Sequence, residues 1–270
     1  MILPSVRPAA RGKIRGTVHP SHAAPALWLA AIACALWPAA ELAEQSRATA
    51  KNLVIVTLDT TRAPVSLSAH ASLFTGLNPP QHRVRDNADP PLNPAEVTLA
   101  QVLRSCGWRT AGFVGSAALA AYSGLASGFD VYDDGRAAGT HPPAHRSGQV
   151  VVDRALEWLS RSDDAPFFLW VHLADAPADP QIALLLQTLD DRGVSGDTVV
   201  MVTGDRGEAL GAGGALRAPL TIHAPRLSAQ RLDLVVSLID LPATALDLLQ
   251  LPAALGDGHS FAPAMRDARR

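Results

Sequence analysis

Cysteine is scarce in this 270-residue chain: Cys34 and Cys106 are the only two. Two thiols exclude a disulfide framework, and no Cys/His spacing suited to a zinc site surrounds them. Cys34 falls in an N-terminal apolar run, so the folded part is expected to hold one thiol, Cys106, as a buried small apolar residue. Lysine is scarcer still beside arginine, supplying 2 of the 23 basic residues. That skew falls on every segment alike and reads as coding bias. A net charge of −2 gives no electrostatic attraction toward nucleic acid or an acidic surface, so no nucleic-acid partner is expected. The glycine-rich stretch "GEALGAGG" at 207–214 lacks the Lys-Ser/Thr of a phosphate loop, which argues against nucleotide binding.

What the chain does have begins at its N-terminus. Arg7, Arg11, Lys13 and Arg15 precede an uncharged apolar run at 23–40, and Glu41 closes it. A positive flank followed by an apolar run is the order of a secretory signal or an uncleaved anchor. The domain is therefore expected on the far side of a membrane, exported or anchored, with membrane contact through 23–40 if that run is retained. The organisation expected is a basic region at 1–22, the apolar segment at 23–40, a linker at 41–51, one domain at 52–255 and a flexible tail at 256–270.

Within the domain, short β-branched runs alternate with amphipathic ones. Strands are predicted at 53–58, 109–114, 167–173, 198–203 and 219–223, and helices at 97–105, 148–160, 181–192 and 232–249. Continuous apolar strands alternating with helices predict an α/β fold, a mostly parallel sheet sandwiched by helices. Residues 78–95 and 134–147, rich in Pro, Gly, Asp and Arg, read as exposed loops. Ligands of such a sheet bind beyond the carboxyl ends of the strands. "LVIVTLD" ends there on Asp59 and "TVVMVTGD" on Asp205, so two carboxylates share one sheet edge.

The blocks "NLVIVTLDTTRA", "HASLFTGLNPPQH", "GFDVYDD", "PFFLWVHL", "DTVVMVTGDRGEALG" and "RAPLTIHAP", in this order, resemble the sulfatases of the alkaline-phosphatase-like superfamily, here in a shortened and divergent form. The resemblance implies a sulfatase/alkaline-phosphatase-like fold, truncated, and hydrolysis of sulfate or phosphate monoesters. A nucleophile at a helix N-terminus would attack, and carboxylates would hold a divalent metal, calcium by resemblance, with manganese or zinc as alternatives. Aligned on "HASLFTG", Ser66 takes the nucleophile position and His70 the cationic one. Asp59 and Asp205 match metal ligands, Thr60 stands where many sulfatases have a second Asp, and Arg62 falls on an arginine near the site. Ser66 and Ser68 would open a helix whose backbone N–H groups favour an oxyanion, or would simply be N-cap residues.

The pattern also departs from the family. The link from Thr61 to Ser66 is short, Ser68 and Ala69 replace the Pro-Ser of the nucleophile motif, and Asp175-Ala176-Pro177 stands where the family has Asp-Pro-His. "EALGAGGALRAPL" lacks the downstream His or Lys of the family, and Arg206 occupies the position of a His or Asn. A guanidinium cannot ligate a metal; Arg206 is expected to grip an anionic ester with His70, Arg62 and Thr60, or to replace the metal as the compensating cation. The metal and nucleophile site thus reads as degraded. The competing reading is a pseudoenzyme, a non-catalytic domain that binds an anion or a protein. Two further histidines read as bystanders, His172 as a hydrogen-bonded core residue and His82 as solvated in a Pro-rich turn, while His223 ends a strand near the same edge, where a ligand role stays open.

Overall fold

The computed structural model describes residues 50–59, 65–137, 140–141, 143–161, 164–175, 177–205, 208–209, 216–252 and 254–267, with the backbone alone at 208–209 and 216–217. The apolar run at 23–40 therefore lies outside the described residues, among which no helix is long and apolar enough to cross a membrane. Six strands form the main sheet: β1 (Asn52–Leu58), β2 (Arg109–Val114), β3 (Val131–Asp133), β4 (Phe167–Leu173), β5 (Thr198–Gly204) and β8 (Leu220–His223). Their order is β3-β2-β4-β1-β5-β8, parallel except for the edge strand β8. A separate two-stranded ribbon, β6 (Glu208–Ala209) with β7 (Leu216–Arg217), follows β5.

Side-chain alternation along the strands sorts the core into two layers. Leu53, Ile55, Phe168, Trp170, Val199 and Met201 point to one face, and Val54, Val56, Leu169, Val171 and Val200 to the other. The first face is covered by α1 (Ser66–Thr75), α3 (Leu99–Ser105), α6 (Asp240–Leu248) and α7 (Ala262–Asp267). The second is covered by α4 (Gly148–Ser160) and α5 (Asp179–Asp191) through Val151, Val152, Ala155, Leu159, Leu185 and Leu189. The short α2 (Pro79–His82) lies against α1.

Local signals explain the helix starts. Thr98 forms a capping box with Gln101: each side chain bonds the other residue's backbone N–H, opening α3. Ser147 accepts from Val150 N–H at the start of α4. α1 ends at Gly76, whose φ of 68° is the left-handed cap that glycine adopts without strain.

Several expectations are corrected. The predicted helix at 232–249 contracts to Asp240–Leu248, and residues 231–237 run without regular structure. Strand β3 was not predicted, because three residues carry too little periodicity. Residues 78–95 are not a solvated loop, since His82, Val84 and Leu92 are buried. The stretch from 254 to 267 is not a frayed tail. It carries α7, buries Leu255, Ala262 and Met265, and donates Asp257 N–H to Gly76 O at 2.8 Å. Cys106 is half-buried, not fully buried as expected.

Candidate active site

Alternation places Thr57, Asp59, His172, Thr203 and Asp205 on the face that α1 covers, at the carboxyl ends of the three central strands. The hydrogen-bond ladder runs one residue past each strand: Asp59 N–H donates to Leu173 O at 2.9 Å, and Asp205 N–H to Leu58 O at 3.0 Å. Both acids are thereby fixed by backbone. Thr57 pairs with His172 across β1 and β4, which brings the imidazole level with them. Ligand atoms of Asp59, His172 and Asp205 all lie within 4.8 Å of one another. His172 and Asp205 are buried, and Asp59 is partly open.

His172 was expected to be a hydrogen-bonded core residue. It is fully buried, but neither ring nitrogen has a hydrogen-bond partner among the described residues. Burial, reinforced by the nearby His70 and His145 rings, holds its pKa well below the usual histidine range. The ring is therefore neutral at physiological pH and keeps a lone pair, as metal ligation requires. By alternation His172 has the same parity as Trp170 and faces α1, not the layer of Val171 and Leu173.

α1 starts at Ser66, as expected, and reaches the strand ends despite the short link before it. Its first turn is tied there by His70, whose ring centroid is 5.1 Å from that of His172. The His70 proton can be assigned from its partners. Ser66 O can only accept, so Nδ1, 2.7 Å away, carries the hydrogen. In the neutral ring Nε2 then accepts from the Thr57 hydroxyl at 2.9 Å, and Thr57 Oγ1 accepts from Trp170 Nε1–H at 3.0 Å. The line Trp170, Thr57, His70, Ser66 is closed at every step.

The other hydroxyls of α1 are structural. Ser68 donates to Val84 O at 2.8 Å, and Ser72 Oγ lies 2.9 Å from His82 Nε2. Val84 N–H donates to His82 Nδ1, so Nε2 bears the proton and donates to Ser72. Burial holds the His82 pKa below the usual range. Leu67 N–H, at the helix N-terminus, donates to Asn87 Oδ1 at 2.9 Å. At the same edge of the sheet the Arg146 side chain is 7% exposed and clamps Val114 O, Asp133 O and the Asp133 carboxylate. Asp175 accepts from Gly148 N–H at the start of α4.

Antiparallel pairing excludes His223 from the site: it faces Val200, while Leu220 pairs with Thr203. Thr60, Arg62 and Arg206 lie outside the described residues.

Two of the six main strands thus end on site carboxylates, with a third strand supplying the imidazole, and the comparisons fit that plan. The sequence profile of the sulfatase family matches residues 41–176 and 176–251. The chain belongs to the sulfatase family. No curated protein matches it. Among solved structures, a 2-O GAG sulfatase superposes with a TM-score of 0.64 at 16% identity, covering 80% of this chain and 74% of its own. The phosphonate monoester hydrolase of Agrobacterium radiobacter gives 0.59 at 16% identity, covering 79% and 77%. A protein of the alkaline phosphatase superfamily from Vibrio parahaemolyticus gives 0.58 at 17%, covering 74% and 66%. At these identities the neighbours support the fold: a sulfatase/alkaline-phosphatase-like sheet carried by a short chain.

Proposed function

We propose that this sulfatase-family chain hydrolyses small anionic monoesters, sulfate or phosphate, at the carboxyl ends of β1, β4 and β5. The observation that carries the reading is the convergence of Asp59, His172 and Asp205 on the face where α1 begins. The family uses a divalent metal, and these donors fit one: two carboxylates offset its charge, and a buried imidazole without a hydrogen-bond partner offers a lone pair. Such an ion would supply Lewis acidity toward the ester oxygens.

Ser66 is proposed as the nucleophile. Its Oγ attacks sulfur or phosphorus, the alcohol leaves, and water releases the inorganic anion. His70 is assigned a positioning role, because its bonds to Ser66 O and Thr57 Oγ1 tie the Ser66 carbonyl to β1. Thr60, Arg62 and Arg206 are proposed to grip the charged ester oxygens. Ser68 and Ala69 replace the Pro-Ser of the maturation motif, so Ser66 is proposed to remain an ordinary serine. The basic flank and the apolar run at 23–40 support export or anchoring.

The test is hydrolysis of p-nitrophenyl sulfate and p-nitrophenyl phosphate by the full chain, with zinc, manganese or calcium added. Turnover lost in Ser66→Ala and Asp205→Asn supports the proposal. A folded, metal-loaded chain that turns over neither ester refutes it and favours the second reading, an anion-binding domain without catalysis. That reading draws on the altered nucleophile motif and on Arg206.

A further inference from the structure

We infer that His172 is the third protein ligand of the metal site, and that the site takes a zinc-type transition-metal ion in preference to calcium. The inference rests on the hydrolase reading above and specifies its metal.

A neutral imidazole has one donor and one acceptor nitrogen, and leaving such a group buried without a bond costs about 1–3 kcal/mol. His172 is fully buried with both nitrogens in that condition among the described residues, and the polar ring of His70 lies 5.1 Å from its own. Its donor lies within 4.8 Å of carboxylate oxygens from Asp59 and Asp205. The ring is also held in place. β4 pairs with β1 on one side, and on the other Gly115 N–H donates to His172 O at 3.1 Å. A Cβ at Gly115 would meet that oxygen at 3.1 Å, so the backbone of β2 approaches closely there. The backbone that carries the ring is thus fixed, and the ring itself packs 5.1 Å from that of His70 and 6.5 Å from that of Trp170.

The donor set then selects the ion. Calcium takes six to eight ligands, all oxygen, in flexible geometry. Zinc sites with chemistry to perform use three protein ligands, drawn from imidazole and carboxylate, and keep one position open. One nitrogen and two carboxylates make the second kind of shell, and imidazole favours borderline ions over hard ones. The two carboxylates balance the charge of a divalent ion, so no additional anion is needed to neutralise it.

The experiment uses the full chain stripped with a chelator and titrated calorimetrically with zinc, cobalt(II) or calcium chloride. Zinc should bind one site, at least tenfold more tightly than calcium. Cobalt should show the visible bands of a four- or five-coordinate N/O site. His172→Gln should weaken zinc at least about 100-fold, more than loss of an outer-shell partner typically costs. His172→Cys, which restores a zinc ligand, should recover binding. If His172→Gln does not fold, zinc X-ray absorption of the wild type decides, since an imidazole must appear in its shell. Calcium preferred over zinc, or zinc affinity unmoved in His172→Gln, overturns the inference and leaves the Asp59–Asp205 reading intact. Zinc bound as described without ester turnover sustains the inference and refutes the hydrolase reading. A folded wild type that binds none of the three ions overturns both.

Discussion

Replacing Thr57 by valine probes the buried line that joins β1 to the first turn of α1. The two side chains have nearly the same shape, so little packing is lost and the effect isolates the hydroxyl. Thr57 is fully buried, and its oxygen serves both Trp170 Nε1 and His70 Nε2. Valine leaves the indole N–H and the imidazole nitrogen without that partner. The two lost bonds cost about 0.5–1.5 kcal/mol each, and the buried indole N–H left without its acceptor brings the sum to about 3 kcal/mol. For a domain of this size that lowers the melting temperature by about 6–12 °C. Urea unfolding measures the loss directly. Thr188→Val, which removes an exposed hydroxyl bonded only to Leu184 O, should stay within about 0.5 kcal/mol of wild type. Trp170→Phe should cost about 1 kcal/mol less in the Thr57→Val background than alone, because the orphaned N–H has gone. A Thr57→Val protein within 0.5 kcal/mol of wild type, roughly the error of such comparisons, would refute the argument that this hydroxyl seats α1.

Three further outcomes are expected. Gly256→Ala should destabilise by more than about 2 kcal/mol, because φ is 66° and the new Cβ would lie 2.3 Å from Gly76 O; thermal unfolding against Gly193→Ala, where φ is 67° but no atom lies within 4 Å, separates the clash from the backbone strain. Stability should fall as pH drops below about 6.5, since burial lowers the His82 pKa and the unfolded ring takes up the proton first; His82→Gln should flatten the slope by up to about 1.4 kcal/mol per pH unit in urea melts from pH 8 to 5. Mass spectrometry of the peptide around Ser66 should find unmodified serine, and a mass corresponding to the aldehyde would overturn that expectation.

Much of this site could be read from the chain because parallel sheets put their ligands at one edge. Asp59 and Asp205 announce themselves by following apolar strands, and β1 and β5 prove adjacent, as two facing acids require. His172 was passed over for a physical reason. A polar residue inside "FFLWVHL" gives the same local signal whether its nitrogens are bonded or empty, and only the three-dimensional neighbours distinguish the two. His82 misled in the opposite direction: its Pro-rich surroundings look solvated, but Ser72 and Val84 hold it against α1. His223 looked well placed until the reversed direction of β8, which no strand-by-strand pattern encodes, carried it to the other end. The segment around α7 lacks a strong apolar stripe, and its docking depends on the close approach of Gly256 to Gly76.

The position of β1 has a consequence for how the chain folds. It is the first strand among the described residues and lies at the centre of the sheet, where Leu53 pairs with Phe168 on one side and Val199 on the other. Neither partner is nearby in sequence, so loop-closure entropy opposes both pairings and folding is slow by topology. Until the stretch at 198–204 is available, β1 presents at least one bare apolar edge, an arrangement prone to aggregation unless something holds the chain. The same delay suits the export proposed above: a polypeptide whose central strand cannot close early remains extended, and so fit to thread through a membrane channel, until its far half has followed.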